Sequence, residues 1–144
     1  MQYIIATHGR LALGYVDTIR LVTQVEGLHA VCAYMEDSEF PEDMERLLNS
    51  FAPGEPVIVF TDLLGGSVTQ KIMELWAGRE QFQVFAGVNL PFVIETILSG
   101  SMPSRESMED MLERSREQMV WVNGLLGCGW NIRIQDYPGC EVRH

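Results

Sequence analysis

At 144 residues the chain is sized for one domain around one core, and with 47% of its residues hydrophobic it can fill one. Twenty acidic against ten basic residues leave a formal charge of −10, which repels nucleic acid and anionic lipid and favours a partner with a positive face. No run approaches the ~20 apolar residues of a membrane span and Met1-Gln2-Tyr3 opens no secretory signal, so a cytoplasmic protein without direct membrane insertion is expected.

Tyr3-Ile4-Ile5-Ala6 is a β-rich run that stops at Thr7-His8-Gly9, and Leu11, Tyr15, Val16, Ile19 and Val22 then recur at helical spacing. Gly27 is placed to end that helix, and Ala30 to Tyr34 reads as a second strand, giving a βαβ unit. Pro41, Glu42 and Asp43 form a helix first turn, with Met44, Leu47, Leu48 and Phe51 as its apolar face, until Pro53-Gly54 breaks it. Val57-Ile58-Val59-Phe60 is continuously apolar, as in a strand covered on both faces. After Thr61-Asp62-Leu63-Leu64-Gly65-Gly66-Ser67, a third helix carries Val68, Ile72, Met73 and Trp76.

Phe82 to Ala86 makes a fourth strand, Gly87-Val88-Asn89-Leu90-Pro91 leads into a helix with Phe92, Val93, Ile94, Ile97 and Leu98 that ends near Gly100, and Ser104 can cap a last helix with Met108, Met111, Leu112 and Met119. Val120 to Val122 and Trp130 to Ile134 are weaker, strand-like runs. Strands alternating with helices predict an α/β fold: an open, mostly parallel, flavodoxin-like sheet of order 2-1-3-4 with helices on both faces. In that order the loops holding His8 and Asp62 flank the topological switch point, where such sheets collect ligands.

A neutral imidazole has one nitrogen free to attack phosphorus, provided the other is held by an acceptor. Asp62 could hold Nδ1–H and stabilise the cationic ring formed when Nε2 takes a phosphoryl group; it could also cap the following helix. Gly65, Gly66 and Ser67 at a helix start offer backbone N–H groups, a favourable dipole and a hydroxyl to an anion. There is no G-x-x-x-x-G-K-[ST] or G-x-G-x-x-G loop, so no nucleotide cofactor is expected and the phosphate must arrive on another protein. One His and one Asp are too few for a catalytic metal site, and Cys32, Cys128 and Cys140 have neither metal spacing nor an even count for disulfides. Cys32 reads as a small buried hydrophobe, His29 as a strand-start residue and His144 as a tail residue.

Three segments, Ile4-Ile5-Ala6-Thr7-His8-Gly9, Val59 to Ser67, and Ala86-Gly87-Val88-Asn89-Leu90-Pro91 followed by Ile94-Glu95-Thr96, together resemble the enzyme IIA domain of the mannose family in the bacterial phosphoenolpyruvate-dependent sugar phosphotransferase system. The resemblance spans roughly residues 2 to 122. It implies that His8 accepts a phosphoryl group from the carrier HPr and hands it to a IIB protein, with membrane components IIC and IID further along. It implies that Asp62 orients His8, that Gly65, Gly66 and Ser67 meet the phosphoryl oxygens, and that Thr7, Gly9 and Asn89 shape the site. Family members resemble flavodoxin-like homodimers with an antiparallel C-terminal strand laid on the partner's sheet. By that likeness residues 1–144 form a single domain, with a core over 1–122 and a C-terminal strand and tail over 123–144.

The segment Gly124 to Trp130 and the tail from Tyr137 to Cys140 match no family feature. Two other readings stand beside the sugar phosphocarrier: a phosphoryl-donor subunit for dihydroxyacetone kinase, and an interaction module for which phosphorylation of His8 is a signal.

Overall fold

Runs of β-branched and aromatic side chains become the strands, and apolar positions spaced three or four apart become the helices. The computed structural model describes residues 1–76 and 81–126. Strands β1 (Gln2–His8), β2 (Leu28–Ala33), β3 (Val57–Thr61) and β4 (Phe82–Ala86) alternate with α1 (Leu11–Val22), α2 (Glu42–Ser50), α3 (Ser67–Trp76) and α4 (Leu90–Leu98); α5 (Arg105–Glu117) and the short α6 (Val122–Leu126) follow. The sheet is parallel throughout, in the order β2-β1-β3-β4 expected from the sequence.

Side chains alternate across the pleat, so each central strand feeds two cores. Tyr3, Ile5, Ile58 and Phe60 pack with Val16 and Ile19 of α1, Phe92, Val93 and Ile97 of α4 and Met111 of α5. Ile4, Ala6, Val57 and Val59 pack on the opposite face with Met44 and Leu48 of α2 and Val68 and Ile72 of α3. Phe60 is completely buried and meets Phe92 edge-on and Phe85 in a stack. Phe60→Ala is therefore expected to cost about 3–5 kcal/mol in a urea titration, mostly from the cavity it leaves.

Several boundaries differ from the sequence reading. Helix α1 stops at Val22, where the Thr23 backbone and hydroxyl both bond the Ile19 carbonyl, rather than at Gly27. Gly27 (φ +73°) instead starts the approach to β2; a Cβ there would come within 2.9 Å of Gln2 Oε1 and 3.0 Å of the Met1 carbonyl. On α1 the buried positions are Ala12, Val16 and Ile19, while Leu11 and Val22 face outward. Trp76 and Met73 are likewise partly exposed, and Met119 lies beyond the end of α5 on the surface.

Val120 to Val122 is not a strand: Val122 begins α6, whose first turn includes a bond from the Gly124 N–H to the Trp121 carbonyl. A strand needs a neighbour's ladder, whereas a helical turn satisfies backbone groups locally. The remainder of the expected C-terminal strand, Trp130 to Ile134, lies outside the described residues, as do Cys128, Cys140 and His144. Among the described residues no helix is long and apolar enough to cross a membrane.

Candidate functional site

The chain leaves β1 toward β2 and β3 toward β4, in opposite directions across the sheet, so a crevice opens between the carboxyl ends of β1 and β3. Ala6 is paired with Thr61, which puts the next residues of both strands at one edge. His8 ends β1 on the face that carries Ile4 and Ala6, the face covered by α3. Thr7 points the other way and is buried, its Oγ1 accepting the Ala12 N–H at the start of α1.

Asp62, the first residue past β3, holds His8 twice: Oδ2 accepts the His8 backbone N–H at 2.9 Å and lies 2.9 Å from Nδ1. Its other oxygen accepts the Leu63 N–H. The His8 side chain is 36% exposed and that of Asp62 11%, so the carboxylate is screened while the ring still reaches solvent. Burial pushes the Asp62 carboxyl up, but the His8 backbone N–H, the His8 ring and the Leu63 N–H together outweigh it and hold the group below its ordinary value. A carboxylate on Nδ1 selects the tautomer with its proton there, which leaves the Nε2 lone pair facing outward.

The loop that follows is clamped from below. Thr69 Oγ1 lies 2.7 Å from both the Leu63 carbonyl and the Thr61 hydroxyl, and the Gly66 N–H bonds the Leu63 carbonyl. These bonds bring Gly66 against the imidazole, where a Cβ would stand 3.0 Å from His8 Cε1 and 3.1 Å from the Leu63 side chain. Gly65 has open space around its Cα. Ser67 begins α3 with its hydroxyl 3.4 Å from His8 Nε2, and the first N–H groups of any helix have no partner within the helix. Leu63 and Leu64, the two residues after Asp62, are exposed.

Of the remaining residues singled out in the sequence, Gly9 (φ +58°) turns the chain away from β1, its N–H bonding the Ala33 carbonyl. Asn89 caps α4 by accepting the Phe92 N–H and donates to the Ser115 carbonyl, tying α4 to α5. None of these Asn89 bonds reaches His8. His29 sits on β2 bonded to Gln2 Oε1; burial lowers its pKa, Arg20 adds to this and Glu55 opposes it.

Sequence reading missed Tyr34. It lies just beyond β2 rather than within it, with φ +62°, its ring 5.6 Å from that of His8 and its hydroxyl donating to Ser67 Oγ at 2.8 Å. No signal in the one-dimensional pattern could have found it, because a turn with positive φ is normally announced by Gly or Asn.

A sequence model of the PTS system fructose IIA component family, EIIA-man, matches residues 2–120. The chain belongs to this family. Solved structures agree on the fold. A Klebsiella pneumoniae protein assigned to the phosphoenolpyruvate-dependent sugar phosphotransferase system is 27% identical, with a TM-score of 0.77 over 88% of this chain and 93% of the other. The EIIA component from Streptococcus agalactiae is 22% identical, with a TM-score of 0.69 over 85% of this chain and 98% of the other. The mannose/sorbose-specific IIA subunit from Enterococcus faecalis is 21% identical, with a TM-score of 0.69 over 83% and 92%. Comparison with curated proteins gives no match. The family assignment makes the chain a IIA component of the phosphotransferase system.

Proposed function

We propose that this IIA protein is a phosphocarrier in which His8 accepts a phosphoryl group on Nε2 from phospho-HPr and passes it to a IIB protein, for sugar uptake through the IIC and IID membrane components. The observation that carries this reading is the pair of bonds from Asp62 to His8, which occupies Nδ1 and leaves Nε2 as the free nucleophile beside Ser67 and the start of α3.

In the forward step the Nε2 lone pair forms the bond to phosphorus as the donor's nitrogen–phosphorus bond breaks, and that electron pair returns to the donor nitrogen. The His8 ring then carries positive charge, which the Asp62 carboxylate offsets without taking the Nδ1 proton. Three phosphoryl oxygens need donors; the Ser67 hydroxyl and the first N–H groups of α3 supply them, with Gly65 and Gly66 admitting the anion close to backbone. Transfer to IIB runs the same step backwards, so a site that binds the phosphoryl group only moderately serves both directions. Thr7, Gly9 and Asn89 act one layer out, by fixing the β1 end and the α4 start.

The test is labelling with phosphoenolpyruvate, enzyme I and HPr, followed by a chase with candidate IIB proteins. An acid-labile, base-stable phosphate that is absent with ATP alone and drains into a IIB protein is expected; a phosphate retained against every IIB protein contradicts the carrier role. The fit of Gly66 gives a second expected outcome. Gly66→Ala must move His8 or the Leu63 loop by a few tenths of an ångström, which is expected to lower the labelling rate about threefold to tenfold. The melting midpoint should fall modestly as well, since the Leu63 side chain and carbonyl must also give way.

A further inference from the structure

We propose that Tyr34 is a positioning residue for the phosphoryl-transfer site, acting through Ser67; this rests on the reading of His8 as the phosphoryl acceptor. The geometry is a chain of hydrogen bonds that ends on the reacting nitrogen. Tyr34 Oη donates to Ser67 Oγ at 2.8 Å, and Ser67 Oγ lies 3.4 Å from His8 Nε2. With the Nδ1 proton directed at Asp62, Nε2 can only accept, so the Ser67 proton is the one that points to it.

Because the Tyr34 hydroxyl occupies an acceptor lobe of Ser67 Oγ, it restricts rotation of that hydroxyl and polarises its O–H bond. When Nε2 gains phosphorus it loses its lone pair, and the same proton is aimed at the incoming phosphoryl oxygens. The Tyr34 ring also lies near the imidazole, tilted 32° to it with centroids 5.6 Å apart.

The backbone gives a separate reason. Tyr34 is the only non-glycine residue with positive φ among the described residues, and the residue is 58% exposed. An exposed tyrosine in the left-handed region is held there against its own preference, and glycine or asparagine would fit such a turn with less strain. What the conformation achieves is delivery of the phenol across the crevice to α3, with Phe40 supporting the ring edge-on at 6.0 Å.

The test is a double-mutant cycle of Tyr34→Phe and Ser67→Ala, read by rapid-quench phosphorylation of His8 from phospho-HPr. Tyr34→Phe keeps the ring and its packing while removing the hydroxyl. Each single variant is expected to slow phosphorylation about fivefold to tenfold, the worth of one neutral hydrogen bond. The double variant should be no slower than the slower single variant, within about twofold. Tyr34→Phe at the wild-type rate, or with its full effect retained in the Ser67→Ala background, overturns the proposal. The ¹⁵N resonance of His8 Nε2 in the unphosphorylated protein supplies a readout that does not need the donor. Tyr34→Phe and Ser67→Ala should shift it in the same direction, and no shift in Tyr34→Phe overturns the proposal. A wild-type protein that takes no phosphate from phospho-HPr would instead refute the carrier reading, leaving the resonance to decide the role of Tyr34.

Discussion

Replacing His8 by glutamine is expected to abolish phosphorylation from phospho-HPr, lowering the initial rate by at least about 10³-fold while the protein stays folded. Glutamine can still donate to Asp62, so part of the Nδ1 bond survives, and the half-exposed position tolerates a flexible side chain. The loss of stability should stay within about 1–2 kcal/mol, the range for one exchanged hydrogen bond. The amide nitrogen of glutamine, however, has no lone pair available for attack on phosphorus. Ser67 is the nearest other hydroxyl, and a phosphate on it would be acid-stable, so acid treatment separates the two fates. Acid-labile label persisting in His8→Gln would place the acceptor elsewhere in the chain.

Asp62→Asn is expected to slow transfer by up to about 10⁴-fold, the loss seen when the carboxylate that orients a reacting imidazole becomes an amide, and to affect folding far less. Three N–H groups converge on the carboxylate: the His8 backbone and ring on one oxygen and the Leu63 backbone on the other. An asparagine has only one oxygen, so whichever way the amide is turned its NH₂ faces a donor. If the NH₂ faces His8, the ring's proton must move to Nε2, which removes the nucleophile; if it faces Leu63, the ring keeps its tautomer but loses the negative charge that offsets the phosphorylated imidazole. Rapid-quench rates beside a urea titration separate these effects. A wild-type rate with a lowered unfolding midpoint would make Asp62 a purely structural cap.

The same carboxylate sets part of the acid limb of stability. Its pKa in the folded protein is below the ordinary value, so the folded state holds the charged form more strongly than the unfolded chain does. The contribution is fully present above the unfolded carboxyl value of about 3.9 and is lost as pH falls through and below it. Urea titrations from pH 7 to pH 2.5 should therefore show wild type and Asp62→Asn separated by a constant amount at the upper end and converging at the lower. Curves that stay parallel to pH 2.5 would mean that Asp62 gains nothing from its partners.

Much of this architecture was legible because the physical signals were local. The unbroken Val57 to Phe60 run announced a strand covered on both sides, and all of β3 is buried. Parallel crossovers then fixed which strands neighbour each other, and that alone brought His8 to Asp62 across 54 residues of sequence. What the sequence did not reveal depended on tertiary context. The end of α1 was set by Thr23 folding back on Ile19, not by the glycine four residues on, which is required instead by the close approach of Met1 and Gln2. Leu11 and Val22 satisfied the helical period yet face outward, because the α1 stripe against the sheet is centred on Ala12, Val16 and Ile19. Tyr34 was invisible for a related reason: its importance lies in a bond to a residue 33 positions away, made possible by a backbone conformation that tyrosine seldom takes.

Phosphoryl transfer turns on one atom. With Nδ1 committed to Asp62, the phosphoryl group has only Nε2 to join. Heteronuclear ¹H–¹⁵N and ³¹P spectra of the protein phosphorylated with phosphoenolpyruvate, enzyme I and HPr will identify the bonded nitrogen. Phosphate on Nε2 of His8, with Nδ1 still carrying its proton, is the predicted result; phosphate on Nδ1, or on any residue other than His8, would contradict it.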